Sequence, residues 1–143
     1  MTRSVVVVRD DGAMAITHLN PPSMHRNPAF SQGTIAPAGA RMLYVGGQNG
    51  VDADGQVVGD SIAAQTEQAM RNLLAVLAEA GASQEDVAKL TIFLVEGTDL
   101  AAGFAASQSV WGAHPTAVSA AFVSALANPA YLVEIEAIAA LPD

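Results

Sequence analysis

The stretch from Asp60 to Gly97, "DSIAAQTEQAMRNLLAVLAEAGASQEDVAKLTIFLVEG", decides the fold. Its apolar period changes once. Ile62, Ala63, Thr66, Ala69, Met70, Leu73, Leu74 and Leu77 recur at three- and four-residue steps, the spacing of one helix face. Asp60 or Ser61 is placed to cap the start, and Gly81 to end the run. Ser83 to Asp86 opens a short helical turn. "LTIFLV" (90–95) is then apolar on both faces, so it reads as a buried central strand. A helix followed by a doubly buried strand implies a sheet with helices packed on it.

Working outward, "RMLYVGG" (41–47) reads as a strand, and "VDADGQVV" (51–58) as a hairpin-type turn at Asp54-Gly55. "SVVVV" (4–8) and "AMAITHL" (13–19) flank Asp11-Gly12, a second hairpin signal. Between them and the 41–47 strand lies "NPPSMHRNPAFSQGTIAPAGA" (20–40), a proline-rich polar loop long enough to be functional or mobile. On the other side, Thr98 or Asp99 caps a second helix running to about Trp111 or Gly112. "TAVSAAFV" (116–123) and "YLVEIEAIAA" (131–140) follow as strands. The order is β-β-β-α-β-α-β-β in a single domain, residues 1–143, of the α+β class. One mixed sheet with two helices on one face fits it. No third helix is left for the other face, so a further copy of the chain is the expected cover.

Composition agrees. The 143 residues are 51% hydrophobic and only 14% charged, too apolar for disorder and lean in charge for a monomer's surface. No apolar run approaches the roughly 20 residues that span a bilayer, and "MTRSVVVVRDDG" is too short in apolar length for a signal peptide core. Cysteine is absent, which excludes disulfides and thiol chemistry and makes a cytoplasmic location the simplest expectation. Net charge is −8, and the six bases (Arg3, Arg9, Arg26, Arg41, Arg71, Lys89) never cluster. Nucleic acid is therefore not an expected partner, and "GGQ" (46–48) is not read as a release-factor signature.

Few residues offer chemistry. In "VEIEA", Glu134 and Glu136 share one strand face, roughly 6.5–7 Å apart, and Val133, Ile135 and Ala137 share the other. The apolar set belongs under the helices, so the carboxylates face the bare side. Alternation alone leaves two readings: solvated glutamates of an edge strand, the commoner case, or a general acid or base buried in an oligomer. "DADGQVV" fails as a calcium loop, with Gln56 at position 5, Val57 at 6 and Ala63 at 12. The glycines at 46–50 fit neither a P-loop nor GxGxxG, although exposed N–H groups at Gly46 and Gly47 could receive a carboxylate or oxyanion. His18, His25 and His114 lack metal-ligand spacing, no GxSxG elbow occurs, and Trp111 reads as core or interface. Arg26 is either a solvated loop arginine or a contact for an anionic substrate.

Together, "NPAFSQG…LYVGGQNGVDADGQVVG", "QTEQAMRNLLAVLAEAGASQEDVAKLTIFLVEGTD" and "HPTAVSAAFV…VEIEAIA" resemble the Rid (YjgF-like) family of reactive-intermediate deaminases, formerly endoribonuclease L-PSP. The resemblance runs from about residue 20 to 140. It implies a chorismate-mutase-like fold and a homotrimer, its sheets around a central barrel, with small-molecule clefts between subunits. It implies hydrolysis of amino-acid-derived imines and enamines to 2-oxo acids and ammonia, with no metal or organic cofactor. Glu134 matches the family's water-positioning glutamate. Gly46, Gly47 and Gln48 match the cleft-lining strand end, and Phe30 stands where a tyrosine is usual. The carboxylate-holding arginine of "P-A-R-S" is absent. Ala117 or Val118 occupies its place, beside Ser119, and Arg26 is the candidate substitute. An apolar cleft of this kind leaves two functions open: an atypical deaminase, or a non-catalytic binding or regulatory protein using the same cleft.

Overall fold

Ser61 starts the first helix by accepting a hydrogen bond from the Ala64 N–H at 3.1 Å. The helix, α1 (Ile62–Glu79), ends at Gly81, whose φ of +75° suits glycine, and the Ala82 N–H closes back on the Leu77 carbonyl at 2.8 Å. Its buried face carries Ile62, Gln65, Thr66, Ala69, Met70, Leu73 and Leu77: Gln65 joins the expected stripe, while Ala63 and Leu74 lie at its margins and are only half-buried. A single 3-10 turn, Gln84–Asp86, follows. The Ser83 N–H donates to the Asp86 carboxylate at 2.8 Å and fixes the direction in which the chain enters the sheet.

The structure is a computed structural model and describes residues 15–142. The sequence-predicted strand 4–8 and the turn at Asp11-Gly12 lie outside those residues. Of the "AMAITHL" segment, Thr17–Leu19 forms β1. It pairs antiparallel with β2 (Gly33–Ile35), a short strand hidden in the segment read as loop. Then come β3 (Met42–Gln48), α1, β4 (Val87–Val95), α2 (Leu100–Trp111), β5 (Ala117–Val123) and β6 (Val133–Ala140). Asp99 caps α2, its carboxylate accepting from Ala101 and Ala102, and Gly112 ends it.

The four long strands lie in the order β3-β6-β4-β5. Strand β4 is central, as its two apolar faces require. It pairs parallel with β5, because α2 carries the chain back to the starting end of the sheet, and antiparallel with β6. Both helices pack on the face formed by Leu90 and Leu94 of β4 and by Val133, Ile135, Ala137 and Ala139 of β6. Met70, Leu73, Leu77, Val87, Val133 and Ile135 are fully buried there, each gaining roughly 1.5–3 kcal/mol from burial. The opposite face is open in the single chain. It presents Tyr44, Glu136 and Ser119 in exposed positions, with Lys89, Thr91, Phe93, Glu134 and Ile138 half-buried. No helix among the described residues is long and apolar enough to cross a membrane.

Candidate functional site

Where β3 meets β6, the pairing slips. Val45 faces Ala137 and Gln48 faces Ile135, so β3 has one extra residue in the interval, a bulge at Gly46-Gly47. The bulge lays the Gly47 backbone over the Glu134 side chain. A Cβ on Gly47 would sit 2.6 Å from the Glu134 carboxyl carbon and 2.9 Å from Oε2. Only glycine leaves this seat free. Gly46 has nothing within 4 Å of a would-be Cβ and is open to solvent, and the Gln48 side chain folds back to donate to the Gly46 carbonyl at 3.0 Å.

The turn after the bulge is held from α1. The Asn72 side chain donates to the carbonyls of Asn49 (3.2 Å) and Val51 (2.8 Å), and Gln68 donates to Asn72. The Asn49 side chain in turn donates to the Val133 carbonyl at 2.9 Å and reaches Oε1 of Glu134 at 3.4 Å. Gln65, fully buried, donates to the carbonyls of Gly59 and Ala130 and accepts from the Leu132 N–H. Gly50 lies on the Gln65 backbone, where a Cβ would come within 2.6 Å of the Gln65 Cα. Gln65, Gln68 and Asn72 of α1 thus fix the loop that positions Glu134. Asp54-Gly55 is a plain turn: the Asp52 carboxylate accepts from the N–H groups of Asp54 and Gln56, and Gly55 has φ +77°.

The remaining expected site residues divide between the two faces. Ala117 pairs with Lys89 and Ser119 with Thr91, so both lie on the open face with Glu134 and Glu136. Val118 pairs with Leu90 and lies on the helix side. Of Ala117 and Val118, the two positions that the resemblance offered for an arginine, only Ala117 therefore lies on the open face. Phe30 lies near Val118, among residues lining a cavity under α2. Its loop is tied to the outer edge of β5, where the Ser31 N–H donates to the Thr116 carbonyl at 2.9 Å. Arg26 is exposed on the same loop.

Lys89 is the functional candidate that the sequence reading passed over. It is half-buried on the open face, directly opposite Ala117, and its Nζ donates to the Ser119 hydroxyl at 2.7 Å. With Tyr44, Thr91, Glu136 and Ile138 it lines a shallow depression of about 160 Å³. The only signal for it was its lone charge inside an apolar strand.

The histidines are accounted for by structure. His18 Nδ1 lies 2.7 Å from the Ser31 hydroxyl, and partial burial holds the ring's pKa below its usual 6.5. The backbone carbonyl of His25 accepts from Gln32, and that of His114 from the Trp111 indole. Among the described residues no three histidines or acids converge as a metal site would need.

Comparison with known proteins supplies a family. Residues 24–141 match the model of the family described as Endoribonuclease L-PSP. A RutC family protein of Pyrococcus abyssi is 37% identical over 98 residues, 68% of this chain and 76% of the relative. The 2-iminobutanoate/2-iminopropanoate deaminase of Rattus norvegicus is 33% identical over 112 residues, 78% of this chain and 79% of that enzyme. Among solved structures, the Rid family protein YyfB of Yersinia pestis superposes with a TM-score of 0.80 at 37% identity, covering 90% of this chain and all of that one.

Proposed function

We propose an activity for this chain on one premise: it belongs to the Endoribonuclease L-PSP (Rid) family. The activity is hydrolysis of a small imine or enamine to a carbonyl compound and ammonia, in clefts between the subunits of a homotrimer. The observation that carries it is the seat of Glu134, a carboxylate on the open sheet face, bonded by Asn49 and left room by a glycine.

In this reading Glu134 accepts a proton from water as the water oxygen attacks the imine carbon. The proton passes to the nitrogen of the resulting carbinolamine. The C–N bond then breaks as the carbinolamine hydroxyl gives its proton to the Glu134 carboxylate, so that ammonia leaves and the carbonyl forms. Gly47 leaves room for the Glu134 carboxylate, and the open, side-chain-free backbone at Gly46 lets the ligand approach closely.

Register supports a cleft shared between copies. Glu134 pairs with Phe93 and Phe93 with Ala121, so Glu134 and Ala117 are two strand spacings and four residues apart, about 16 Å. One small ligand cannot touch both within one chain. A neighbouring sheet packed on the open face would bring one subunit's Glu134 to the next one's Ala117 end. There Lys89, beside Ala117 and bonded to Ser119, supplies a cation where the family has arginine. A single ammonium attracts a carboxylate but cannot clamp it with two parallel bonds. This proposal therefore expects weaker binding of imino acids and more tolerance of neutral imines.

The neutral side chain at Ala117 also favours the second reading, a non-catalytic binding protein using the same cleft. One assay separates them. An amino-acid oxidase generates 2-imino acids in the presence of semicarbazide, and the protein competes with that trap. Faster 2-oxo acid formation, abolished in Glu134→Gln and reduced mainly through KM in Lys89→Met, supports the hydrolase. No acceleration with any amino acid or with a neutral imine, or acceleration unchanged in Glu134→Gln, refutes it.

A further inference from the structure

An apolar cavity lies on the other side of the sheet from Glu134. It lies beneath α2, with about 180 Å³ inside, and Leu90, Ile92, Leu94 and Ile135 form its floor. Phe30, Phe104 and Trp111 supply aromatic walls. The lining is overwhelmingly apolar. For scale, an engineered cavity of roughly 150 Å³ lined by Leu, Ile and Phe in another protein stays dry and binds benzene.

Of its polar lining residues, Thr66, Ser107, Gln108, His114 and Thr116, one stands out. Thr66, on the buried face of α1, is only 3% exposed, lines this cavity, and its hydroxyl has no hydrogen-bond partner. It is the only buried side-chain oxygen or nitrogen in that condition among the described residues. Two neighbouring polar groups are already engaged: the Thr116 hydroxyl donates to the Val87 carbonyl at 2.8 Å, and the Trp111 indole N–H to the His114 carbonyl. A buried hydroxyl without a partner is costly, and an alanine or valine would have filled the position without that cost. The mouth is lined by Leu100 and Phe104, both about half exposed on α2, which gives an apolar ligand a way in.

We propose that this cavity is a second binding site, for a neutral, single-ring aromatic molecule carrying one hydrogen-bonding group. The ring stacks among Phe30, Phe104 and Trp111, and the polar group meets the Thr66 hydroxyl. Charge is excluded because no ionisable side chain other than His114 lines the space. The site is independent of the imine reading. It touches the catalytic face only through the strands they share, since Val133 lines the cavity and the next residue is Glu134.

Phenol and benzene serve as probes on the full chain, followed by amide and indole resonances. Saturable shifts at Thr66, Ile135 and the Trp111 indole, with little change at Lys89 or Tyr44, are expected for both. Thr66→Val keeps the shape and removes the hydroxyl. It should weaken phenol by roughly fivefold while leaving benzene unchanged. Ser107→Leu, which fills the space from α2, should abolish both. Absence of saturable shifts in the native chain, shifts confined to the open face, or equal phenol affinity in Thr66→Val each overturns the proposal.

Discussion

Replacing Gly47 by alanine should silence the site while sparing the fold. The new methyl group would stand 2.6 Å from the Glu134 carboxyl carbon, 2.8 Å from Cγ and 2.9 Å from Oε2. Ordinary contact needs about 3.5 Å, so the carboxylate must retreat by about 1 Å. The obstacle is the mobile end of a side chain, not backbone. Gly47 is also not among the glycines with positive φ, so alanine adopts its conformation without strain. Turning Glu134 into another rotamer costs about 0.5–1.5 kcal/mol, and replacing glycine returns about 0.4–1 kcal/mol through the unfolded chain. Stability should then stay within about 1 kcal/mol, a melting shift of no more than about 4 °C. A misplacement of about 1 Å at a reacting group lowers turnover on the order of 100-fold. The assay is the semicarbazide competition beside thermal unfolding, with Glu134→Gln as reference. The Glu134 carboxyl carbon resonance gives a readout that does not need turnover. A Gly47→Ala protein with the native resonance, with undiminished rate, or with a melt lowered by tens of degrees would refute this reasoning.

Gly50→Ala makes the contrasting case. Its Cβ would meet the Gln65 Cα at 2.6 Å, which is helix backbone, so α1 itself must shift; a loss of about 3 kcal/mol in urea unfolding is expected. Gly103→Ala should stabilise by about 0.5–1 kcal/mol in the same assay. Gly103 is buried inside α2, and the added methyl meets only Ile62 at 3.4 Å and Leu94 at 3.7 Å, ordinary contact distances. His18 sets a pH dependence. Burial lowers its folded pKa below 6.5, so the folded state binds the proton less readily than the unfolded chain. Its contribution is complete above that value and is lost as pH falls through it toward the folded pKa. Urea midpoints of the native chain should decline slightly more between about pH 7.5 and about pH 5.5 than those of His18→Gln; the effect is small because the ring keeps one side in solvent.

Much of the fold could be read from the sequence because local signals agreed with one another. The α1 stripe, its Ser61 cap and Gly81 stop, the central position of β4 and the alternation of β6 all follow from spacing and punctuation. Strand β2 could not be found that way. Gly33-Thr34-Ile35 is three residues long and has no alternation to detect, and its place comes from pairing with β1 and from the Thr34 hydroxyl donating to the Ala88 carbonyl at 2.6 Å. Tertiary partners, not local preference, make it a strand. Sheet order was equally hidden, since insertion of β6 between β3 and β4 is a long-range pairing that no local window contains.

The candidate site was half legible for a related reason. Glu134 and Gly47 stood out, one as a carboxylate in an apolar strand and the other as a glycine at a strand end, yet nothing in the letters related them. The bulge does, by spending one extra residue of β3 to set glycine against glutamate. Asn49, Gln65 and Asn72 read as ordinary polar residues of a turn and a helix. Their importance appears only when the side-chain amides are seen to bond backbone distant in sequence, as Asn72 donates to the Val51 carbonyl 21 residues away and Gln65 to the Ala130 carbonyl 65 residues away. The position that the resemblance assigns to an arginine is the instructive case. Sequence could offer Ala117 or Val118 for its place, because a one-residue ambiguity in alignment is small on paper. In a strand it is decisive, since neighbouring side chains point to opposite faces. Register sets Ala117 beside Lys89 on the face of Glu134 and sends Val118 under α2, into the cavity with Phe30. The same alternation therefore separates two sites with different demands. The open face carries the charged groups Lys89, Glu134 and Glu136, and the covered face holds a mostly apolar space in which one buried hydroxyl, that of Thr66, has no partner.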